Sequence, residues 1–487
     1  MKKRILAVVL AALMLLGLLA ACGNTNPTDP ANPNPGNTDN PTASTKTNFE
    51  VPTGGYDGSA VTVVFYHTMG AKLQAVLDLY IAEFNALYPN ITIEAKNMGG
   101  YDDVREQIVT EITVGNQPNI AYCYPDHVAM YNLAGAVTQL DSLIASTETV
   151  TAADGSTQIL GLTAEQQADF IEGYYNEGRQ FGDGLMYTLP LNKSTEVLYY
   201  NKTFFDANNL TVPTTWEEME AVCAKILEID PNSIPLGYDS EANWFITMCE
   251  QLGTPYTSAT GDHFLFDNAE NHAFVKMFNE WYQKDYLTTQ ELYGAYTSGL
   301  FVSTDATKSY MSIGSSAGAT YQRPTKDEAT NAYPFEVGIA TIPQANPANP
   351  KVISQGPSLC IFQKKNPQEV IASWLFMKYL TTTVEFQAEF GMASGYVPVL
   401  KSVAENPVYK AYLEKADGGD NITALSAKVC MAQTDAYYTS PAFNGSSAAR
   451  DEVGALMSKC LVLPADGLDD AIADAFAEAV EECEYNS

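Results

Sequence analysis

The chain has 487 residues and a formal net charge of −32 at pH 7, because 58 Asp and Glu oppose 26 Lys and Arg. Such an acidic chain is a poor partner for nucleic acid or anionic lipid, and no basic patch interrupts it. Its length exceeds what one hydrophobic core usually supports, so two folded units are expected.

The N-terminus predicts a secretory signal that ends at a lipid attachment site. Residues 1–4 read MKKR, and residues 5–21 are almost wholly apolar. This charge order is typical of a signal peptide over residues 1–21 and not of a permanent membrane span. The motif LAAC, which ends in Cys22, resembles the lipobox of bacterial lipoproteins and implies acylation of the Cys22 thiol after cleavage. An ordinary signal peptide that happens to contain a cysteine is the alternative.

Residues 22–56 predict an extended tether. After Cys22 the sequence reads GNTNPTDPANPNPGNTDNPTASTKTNFE, which is rich in Pro, Asn and Thr and has no apolar run before Phe49. Such a composition cannot bury enough apolar surface to offset the entropy of ordering the chain. We therefore expect a lipid on Cys22 to hold a folded body away from the extracellular face of a cell membrane, in a Gram-positive envelope. No other stretch of the sequence is apolar enough to span a bilayer.

The body begins with alternating strand and helix patterns. Strand-like apolar runs at residues 60–66, 91–95 and 119–124 are separated by helical periodicity at residues 72–87 and 102–114. This alternation implies a parallel sheet with helices on its faces. Ligands bind such sheets beyond the carboxyl ends of the strands. The loops selected by that rule hold His67, Tyr101 and Asp126.

The middle of the chain predicts further α/β structure. Residues 141–180 predict an irregular helical insert, and a long strand is predicted at residues 189–201. A capping box, TWEE at residues 215–218, starts a helix that runs to Ile229. Strand and helix signals alternate to the C-terminus without an internal repeat. The fold class predicted is therefore α/β.

Six separated segments, met in the same order along the chain, resemble the extracellular solute-binding proteins that feed ABC importers. They read FYHTMG, VGNQPNIAYCYPD, TLPLNKSTEVLYYNK, SYMSIGSSAG, SQGPSLCIFQKK and ASGYVPVLKSV. The resemblance is to the sugar-binding group that includes maltodextrin and glycerol-3-phosphate binders. It implies a Venus-flytrap fold, in which two α/β lobes enclose a cleft and strands cross at a hinge. Residues 57–193 with 356–395 would form lobe 1, and residues 194–355 with 396–487 would form lobe 2.

The resemblance also implies which residues contact the ligand. Trp244 stands where relatives place a stacking aromatic residue, with core packing as the alternative. Tyr101 corresponds to a cleft tyrosine or else lies in a surface loop. Asp126 would accept sugar hydroxyls or else cap a helix. Besides His67, the remaining candidates lie in crossing strands and small polar loops: Lys193, Ser194, Ser315, Ser316, Gln355, Gly356 and Tyr396.

One segment raises the possibility of an enzyme. The sequence GSSAG at residues 314–318 fits the nucleophile elbow G-x-S-x-G of serine hydrolases. In that fold the catalytic His follows the Ser, whereas all four His residues, of which His272 is the last, precede Ser316. We therefore predict a ligand-binding loop and no enzyme. The sequence contains no H-E-x-x-H motif, zinc-ligand spacing or phosphate loop, so no metal and no cofactor are expected.

The cysteines give little guidance. Without the lipid-bearing Cys22, an odd number of the eight remains, so they cannot all pair. Cys123, Cys249 and Cys360 lie in apolar runs and are interpreted as small buried hydrophobic residues. One disulfide in the C-terminal part is left open.

The expected ligand is a neutral mono- or oligosaccharide. Two departures from the glycerol-3-phosphate binders argue against a phosphorylated ligand. Pro125 stands where they have a carboxylate, and residues 438–442 lack their arginine, so that Arg450 is the nearest. Phosphate capture usually needs a bidentate arginine. Glycerol-3-phosphate or a glycerophosphodiester is the alternative ligand, and the expected protein partners are the permease subunits of an ABC importer, with the protein itself a monomer.

Overall fold

The computed structural model describes residues 49–487 of the chain. The signal peptide, Cys22 and most of the predicted tether lie outside the described residues. Within residues 49–487, every helix is too short or too polar to cross a membrane.

The first third of the described chain alternates strands and helices, as the sequence predicts. In chain order it holds β1 Val61–His67, α1 Ala71–Leu87, β2 Ile91–Asn97, α2 Tyr101–Val114, β3 Ile120–Cys123 and α3 Pro125–Leu133. Strand β1 pairs in parallel with β2 and with β3. The predicted helical insert is smaller than expected and includes an unforeseen hairpin. It consists of α4 Asp141–Ile144, β4 Thr149–Thr151, β5 Thr157–Ile159, α5 Ala164–Asp169 and α6 Glu172–Glu177.

The predicted long strand at residues 189–201 is two strands. The first, β6 Leu189–Pro190, belongs to one sheet, and the second, β7 Ser194–Asn201, belongs to another. Between them, residues 191–193 carry the chain from sheet to sheet. The periodicity of the sequence does not change there because both sides of the break are buried.

The second sheet and its helices follow. They are α7 Lys202–Asn208, α8 Trp216–Ile229, β8 Leu236–Tyr238, α9 Glu241–Leu252, α10 Ala269–Gln283, β9 Leu287–Thr289, α11 Gln290–Tyr293, α12 Ser298–Phe301, β10 Met311–Ser315, β11 Val337–Ala340 and β12 Val352–Gln355. A 3₁₀ helix, Ser316–Gln322, directly follows β10. The chain then returns to the first sheet.

The last part of the chain contributes to both sheets. Its elements are β13 Ser358–Ile361, α13 Pro367–Thr382, α14 Val384–Ser394, α15 Pro407–Glu414, α16 Ile422–Ala432, β14 Tyr437–Tyr438, α17 Ser446–Leu461 and α18 Leu468–Tyr485, with 3₁₀ turns at Lys401–Glu405 and Thr434–Ala436. The first sheet has the order β2-β1-β3-β13-β6, and the second has the order β14-β12-β7-β10-β8-β9, with β11 also on β7. The architecture is therefore a two-sheet α/β fold.

Each sheet has its own aromatic core. In the first, Phe376 of α13 lies 5.1 Å from Phe84 and 6.2 Å from Phe65, measured between ring centroids. In the second, Trp216 of α8 and Trp281 of α10 pack on Phe278. Burying aromatic side chains of this size supplies much of the hydrophobic stabilisation of each half.

Three passages of the chain between the sheets lie side by side. Ser194 and Thr195 of β7 pair with Gln355 and Ser354 of β12, and Lys193 forms an isolated bridge with Val397. The first, second and third passages therefore meet in one narrow region, which we call the hinge. Such a bundle of crossings permits rigid-body rotation of the two halves.

A buried ion pair holds the first two passages together. The Lys193 ammonium donates to the carboxylate of Glu177, to the carbonyl oxygen of Gly356 at 2.9 Å and to the Ser358 hydroxyl at 3.0 Å. Burial lowers the pKa of Lys193, and Glu177 opposes that shift. Gly356 has a φ of +98°, and a Cβ there would lie 3.0 Å from the Asn192 carbonyl oxygen, so the turn requires glycine.

All seven cysteines from Cys123 to Cys483 are buried and free. The interpretation of Cys123, Cys249 and Cys360 as buried hydrophobic residues is therefore confirmed. The disulfide that the sequence left open in the C-terminal part is not formed.

Candidate functional site

A cleft between the two sheets consists of two adjoining compartments. The first compartment has a volume of about 340 Å³, and the second has a volume of about 1210 Å³. Four side chains line both compartments and separate them: Tyr124, Gln355, Arg450 and Asp451. We call these four residues the dividing wall.

The first compartment is built mainly from loops at strand and helix ends. Tyr101 is the first residue of α2, directly after Gly100, and Asp126 lies in the first turn of α3. The opposite side is formed by residues 439–442 and by the start of α17, including Ser447. The rule that ligands bind beyond the carboxyl ends of strands points to the same region as this compartment.

The second compartment is larger and is built mainly from the second sheet. Ser194 and Glu196 come from β7, and Ser315 ends β10. The loop after β8, the 3₁₀ helix after β10 and helix α17 supply most of the other lining residues. Tyr396 closes this compartment from the third passage of the hinge.

The structure brings six of the sequence-predicted residues to the cleft. Tyr101 and Asp126 line the first compartment, Ser194, Ser315 and Tyr396 line the second, and Gln355 lines both. They come from six separate segments of the chain.

Two predicted aromatic contacts lie in the core instead. Trp244 is fully buried in α9, where it stacks on Tyr238 at 4.6 Å between centroids and lies 4.2 Å from Phe278. The core alternative therefore holds for Trp244. His67 is fully buried at the end of β1, and its Nδ1 accepts a hydrogen bond from the Met69 amide at 3.1 Å. Burial lowers the pKa of His67 to about 4, so its ring is neutral at physiological pH.

Three further predicted residues support the site without lining it. Lys193 is enclosed in the hinge, where its ammonium is fully used by protein partners, and Gly356 forms the turn next to it. Ser316 is fully buried, and its hydroxyl accepts a hydrogen bond from the Thr195 amide at 3.1 Å. None of these three residues lines either compartment.

Four tyrosines cluster where the compartments meet. The Tyr101 ring lies 4.7 Å from Tyr124 and stacks on Tyr122 at 5.8 Å, measured between centroids. The Tyr122 hydroxyl donates to Asn192 Oδ1 at 3.0 Å. Burial raises the pKa of Tyr396, which lies close to the same group. All four hydroxyls therefore remain protonated and can donate hydrogen bonds.

Sequence reasoning missed two exposed rings at the mouth of the second compartment. Tyr296 is 66% exposed and Tyr321 is 75% exposed, although each side chain carries a large apolar ring. Tyr321 belongs to the 3₁₀ helix after β10, and Tyr296 precedes α12. No motif marks either residue, but an aromatic ring in a polar loop is the signal that could have found them.

Sequence reasoning also misplaced Arg450. It lies outside residues 438–442, yet helix α17 returns it to the dividing wall, where its guanidinium donates to Asn243 Oδ1. Helix α17 is fixed there by close packing on α9, because a Cβ on Gly454 would lie 3.3 Å from Ala242 Cβ. The cleft therefore contains an arginine that the sequence motifs did not predict.

Comparison with known proteins identifies the chain. A family model described as bacterial extracellular solute-binding protein matches residues 80–416. The chain belongs to this family of solute-binding proteins. The predicted family and the two-lobed fold are both confirmed.

Individual relatives agree with this assignment. The sn-glycerol-3-phosphate-binding periplasmic protein UgpB of Shigella flexneri serotype 5b is 24% identical over 376 residues, which cover 75% of this chain and 80% of that protein. UgpB from Mycobacterium tuberculosis, solved in complex with glycerophosphocholine, has a TM-score of 0.67 at 16% identity and covers 88% of this chain and 98% of its own. The cyclic alpha-maltosyl-1,6-maltose binding protein from Arthrobacter globiformis also has a TM-score of 0.67, at 19% identity, with coverage of 88% and 100%.

This solute-binding protein therefore has a transport role, and its family consists of proteins that are not enzymes. The geometry of the elbow-like segment agrees, since the Ser316 hydroxyl is buried against the Thr195 amide. Across residues 49–487, no group of three or more His, Cys, Asp or Glu side chains is arranged to hold a metal ion.

Several hydrogen bonds join the two halves of the solute-binding protein beside the first compartment, and one of them involves a predicted ligand contact. The Ser447 hydroxyl of α17 donates to Asp126 Oδ2 of α3 at 3.0 Å. Tyr124, and not Asp126, occupies the N-cap of α3, so the capping alternative for Asp126 is wrong. Asp126 instead joins an element beside the first sheet to an element beside the second.

Proposed function

We propose that this protein captures a carbohydrate in the cleft and delivers it to the permease of an ABC importer. The observation that carries the proposal is the pair of exposed rings, Tyr296 and Tyr321, beside a compartment rich in hydrogen-bond acceptors. Sugars present apolar C–H faces and polar hydroxyl edges, and aromatic rings next to polar groups complement both. In this proposal Tyr296 and Tyr321 take the stacking role that the family resemblance implied for Trp244.

Six residues predicted from the sequence would contact the sugar. Carboxylate, amide and hydroxyl groups on the cleft surface suit hydroxyls that both donate and accept hydrogen bonds. The ligand-contacting residues proposed are Tyr101, Asp126, Ser194, Ser315, Gln355 and Tyr396. The two compartments have room for more than one sugar unit, which favours an oligosaccharide.

The transport step would follow from closure of the two halves. Residues 57–193 with 356–395 are proposed to move as lobe 1, and residues 194–355 with 396–487 as lobe 2, about the hinge. A ligand shifts such an equilibrium only by the contacts that it gains in the closed state. The protein itself would carry out no chemistry, so Ser316→Ala should leave esterase activity at the level of buffer.

A glycerophosphodiester is the second candidate ligand, and Arg450 is the observation that favours it. A guanidinium in the dividing wall could bind a phosphodiester oxygen, and the relative from Mycobacterium tuberculosis was solved with glycerophosphocholine. Carboxylates oppose this reading. The second compartment alone is lined by Glu196, Asp239, Glu241, Glu291 and Asp451, which would repel an anionic ligand.

A thermal-shift screen of the purified protein tests the proposal. The panel holds mono- and oligosaccharides, glycerol-3-phosphate and glycerophosphocholine. A ligand at 100 times its dissociation constant adds about 2.7 kcal/mol of stability, which for a protein of this size raises the melting temperature by roughly 3 °C. A shift with saccharides supports the carbohydrate assignment. A shift with the phosphorylated compounds alone would replace it by the second candidate.

Lipid anchoring on Cys22, at the extracellular face of a Gram-positive membrane, is also part of the proposal. Its support is the lipobox-like motif LAAC and the tether-like composition that follows. Replacing Cys22 by Ala should release the protein from the membrane fraction into the medium. Continued anchorage of the variant would contradict lipidation. A single monomer mass in light scattering is expected for the released protein.

A further inference from the structure

Three buried carboxylates lie beside the second compartment. Glu196 is 1% exposed, and Asp239 and Glu241 are each 8% exposed. Glu196 comes from β7, next to the hinge, and the other two flank the start of α9. Buried carboxylates are costly unless protein or ligand compensates the charge.

The protein compensates only part of each carboxylate. The Tyr238 hydroxyl donates to Glu196 Oε2 at 2.7 Å. The amide and the hydroxyl of Thr297 both donate to Asp239 Oδ1 at 2.8 Å. The Glu291 amide donates to Glu241 Oε1 at 2.8 Å. One oxygen of each carboxylate is thereby fixed in position by the fold.

Two buried acceptor atoms on the same compartment have no hydrogen-bond partner among residues 49–487. They are Glu196 Oε1 and Gln322 Oε1. The other end of the Gln322 amide is fixed, because its Nε2 donates to the Ser312 hydroxyl at 3.0 Å. A buried acceptor without a hydrogen bond is energetically unfavourable, and a solute in the compartment can supply the missing donor.

Gly314 lets Asp239 and Gln322 pack closely on β10. A Cβ at that position would lie 3.1 Å from Asp239 Oδ2 and 3.6 Å from Gln322 Nε2. Any side chain there would therefore crowd the second oxygen of Asp239. Glycine at this position thus helps to hold the Asp239 carboxylate and the Gln322 amide side by side.

The charge around the compartment is strongly negative. Among the described residues that line it, Glu196, Asp239, Glu241, Glu291 and Asp451 face a single cationic side chain, Arg450, which is bound to Asn243. Burial raises the pKa of Glu196 to about 7, and burial also raises the pKa of Asp239. A cation bound beside Glu196 would favour its charged form over the protonated one. An organic cation in the compartment would supply such a charge.

We propose that the transported solute carries a protonated amino group that binds among Glu196, Asp239 and Gln322 in the second compartment, so that the ligand is an amino-bearing saccharide. This proposal rests on the proposed carbohydrate function. An ammonium offers several donors and a charge, whereas a hydroxyl offers one donor and no charge. Hydrogen bonds between an ammonium and a carboxylate are about twice as strong as neutral ones.

Matched pairs of sugars test the proposal by titration calorimetry at pH 7. Each pair consists of an amino sugar and a neutral counterpart, which is either its N-acetyl derivative or the parent sugar with a hydroxyl at the same position, in the gluco, galacto and manno series and as one to three units. We expect at least one amino sugar to bind ten times or more tighter than its N-acetyl and hydroxyl counterparts. Its affinity should also fall as NaCl rises from 50 to 500 mM, because salt screens the charge interaction.

Two variants separate this role from a structural one. Glu196→Gln keeps an acceptor for Tyr238 but removes the charge, so the preference for the amine over its neutral counterpart should drop to less than threefold. Asp239→Asn provides the same readout if Glu196→Gln folds poorly. Glu228→Gln, an exposed position on α8, is the matched control and should keep the full preference.

The outcomes distinguish this inference from the proposed function. Equal or tighter binding of the neutral partners, or an unchanged preference in both variants, would overturn the amino-sugar proposal and leave the carbohydrate function in place. Binding of glycerophosphocholine alone would overturn both. A panel in which no sugar binds also counts against both.

Discussion

At the scale of single residues, exposed tyrosines define the sugar surface of the cleft. Trp244 has the larger ring, but it is enclosed by Tyr238 and Phe278 and therefore stabilises the second half of the molecule. Tyr296 and Tyr321 do not stabilise the core in this way, because most of each side chain is exposed at the cleft mouth. Exposed aromatic surface in a soluble protein is commonly a binding surface.

We expect Tyr321→Ala to weaken saccharide binding without unfolding the protein. Loss of an aromatic stacking contact costs about 0.5–1.5 kcal/mol beyond the buried area, so the dissociation constant should rise at least threefold. Titration calorimetry with the sugar found in the thermal-shift screen measures the change. Tyr485→Ala, near the C-terminal end of α18 and 87% exposed, is the control and should bind normally. Equal affinity of the two variants would remove Tyr321 from the site.

Glu196 should make stability depend on pH. Its folded-state pKa of about 7 lies above the ordinary value of 4.5, because burial disfavours the carboxylate, and Asp239 and Arg450 act on it in opposite directions. The folded state therefore holds its proton more tightly than the unfolded state. The resulting stabilisation is fully present below pH 4.5 and is lost as pH rises through 7.

Glu196→Gln should consequently raise the free energy of unfolding at pH 8 by up to about 3 kcal/mol and change it little at pH 4. Urea unfolding of both proteins at the two pH values measures the difference. The Tyr238 hydroxyl can still donate to the amide, so the substitution leaves that hydrogen bond in place. A variant that is less stable than the parent at pH 8 would contradict the buried, charged state assigned to Glu196.

At the scale of elements, the hinge is the feature that was predicted least accurately from the sequence. Residues 189–201 read as one strand because the apolar pattern is continuous, whereas the chain changes sheets at residues 191–193. Lys193 looked like a ligand contact because it lies in that passage. Its ammonium instead joins Glu177, Gly356 and Ser358, which are distant along the chain, so no local pattern could have predicted the partner set.

We expect Lys193→Met to reduce the free energy of unfolding by about 3–5 kcal/mol, because Glu177 is left buried without its cation. Urea denaturation measures the loss. The double variant with Glu177→Gln removes both charges and should regain a large part of the stability. If the single and double variants are equally destabilised, the ion pair does not account for the effect.

Two of the predicted site residues that line the cleft follow directly from strand ends. Tyr101 and Asp126 come after β2 and β3, and the topology of a parallel sheet brings such positions to one edge. Arg450 shows why the rest could not be predicted. It reaches the cleft through the packing of α17 on α9, and that contact depends on Gly454 fitting against Ala242. A helix pattern in the sequence gives the apolar face but not the neighbour on which it packs.

At the scale of the whole molecule, the Asp126–Ser447 hydrogen bond links the two halves across the cleft. Breaking it by Ser447→Ala should favour the open form and raise the dissociation constant of a bound sugar by up to about tenfold, since one such bond contributes about 0.5–1.5 kcal/mol. Small-angle X-ray scattering should show a larger radius of gyration for the ligand-free variant. In a double-mutant cycle with Asp126→Asn the two effects should not add. Additive effects would mean that the hydrogen bond does not couple the halves.

The dividing wall has a kinetic consequence. Tyr124 follows the first sheet, whereas Arg450 and Asp451 belong to α17 beside the second, so the wall is complete only when the halves are together. An arriving oligosaccharide would meet one continuous cleft. The linkage between its sugar units would contact the dividing wall only when the two halves close around it. Solutes that differ in that linkage should therefore associate at similar rates and differ chiefly in residence time. The protein would thus discriminate between sugars by their dissociation rates and not by their association rates.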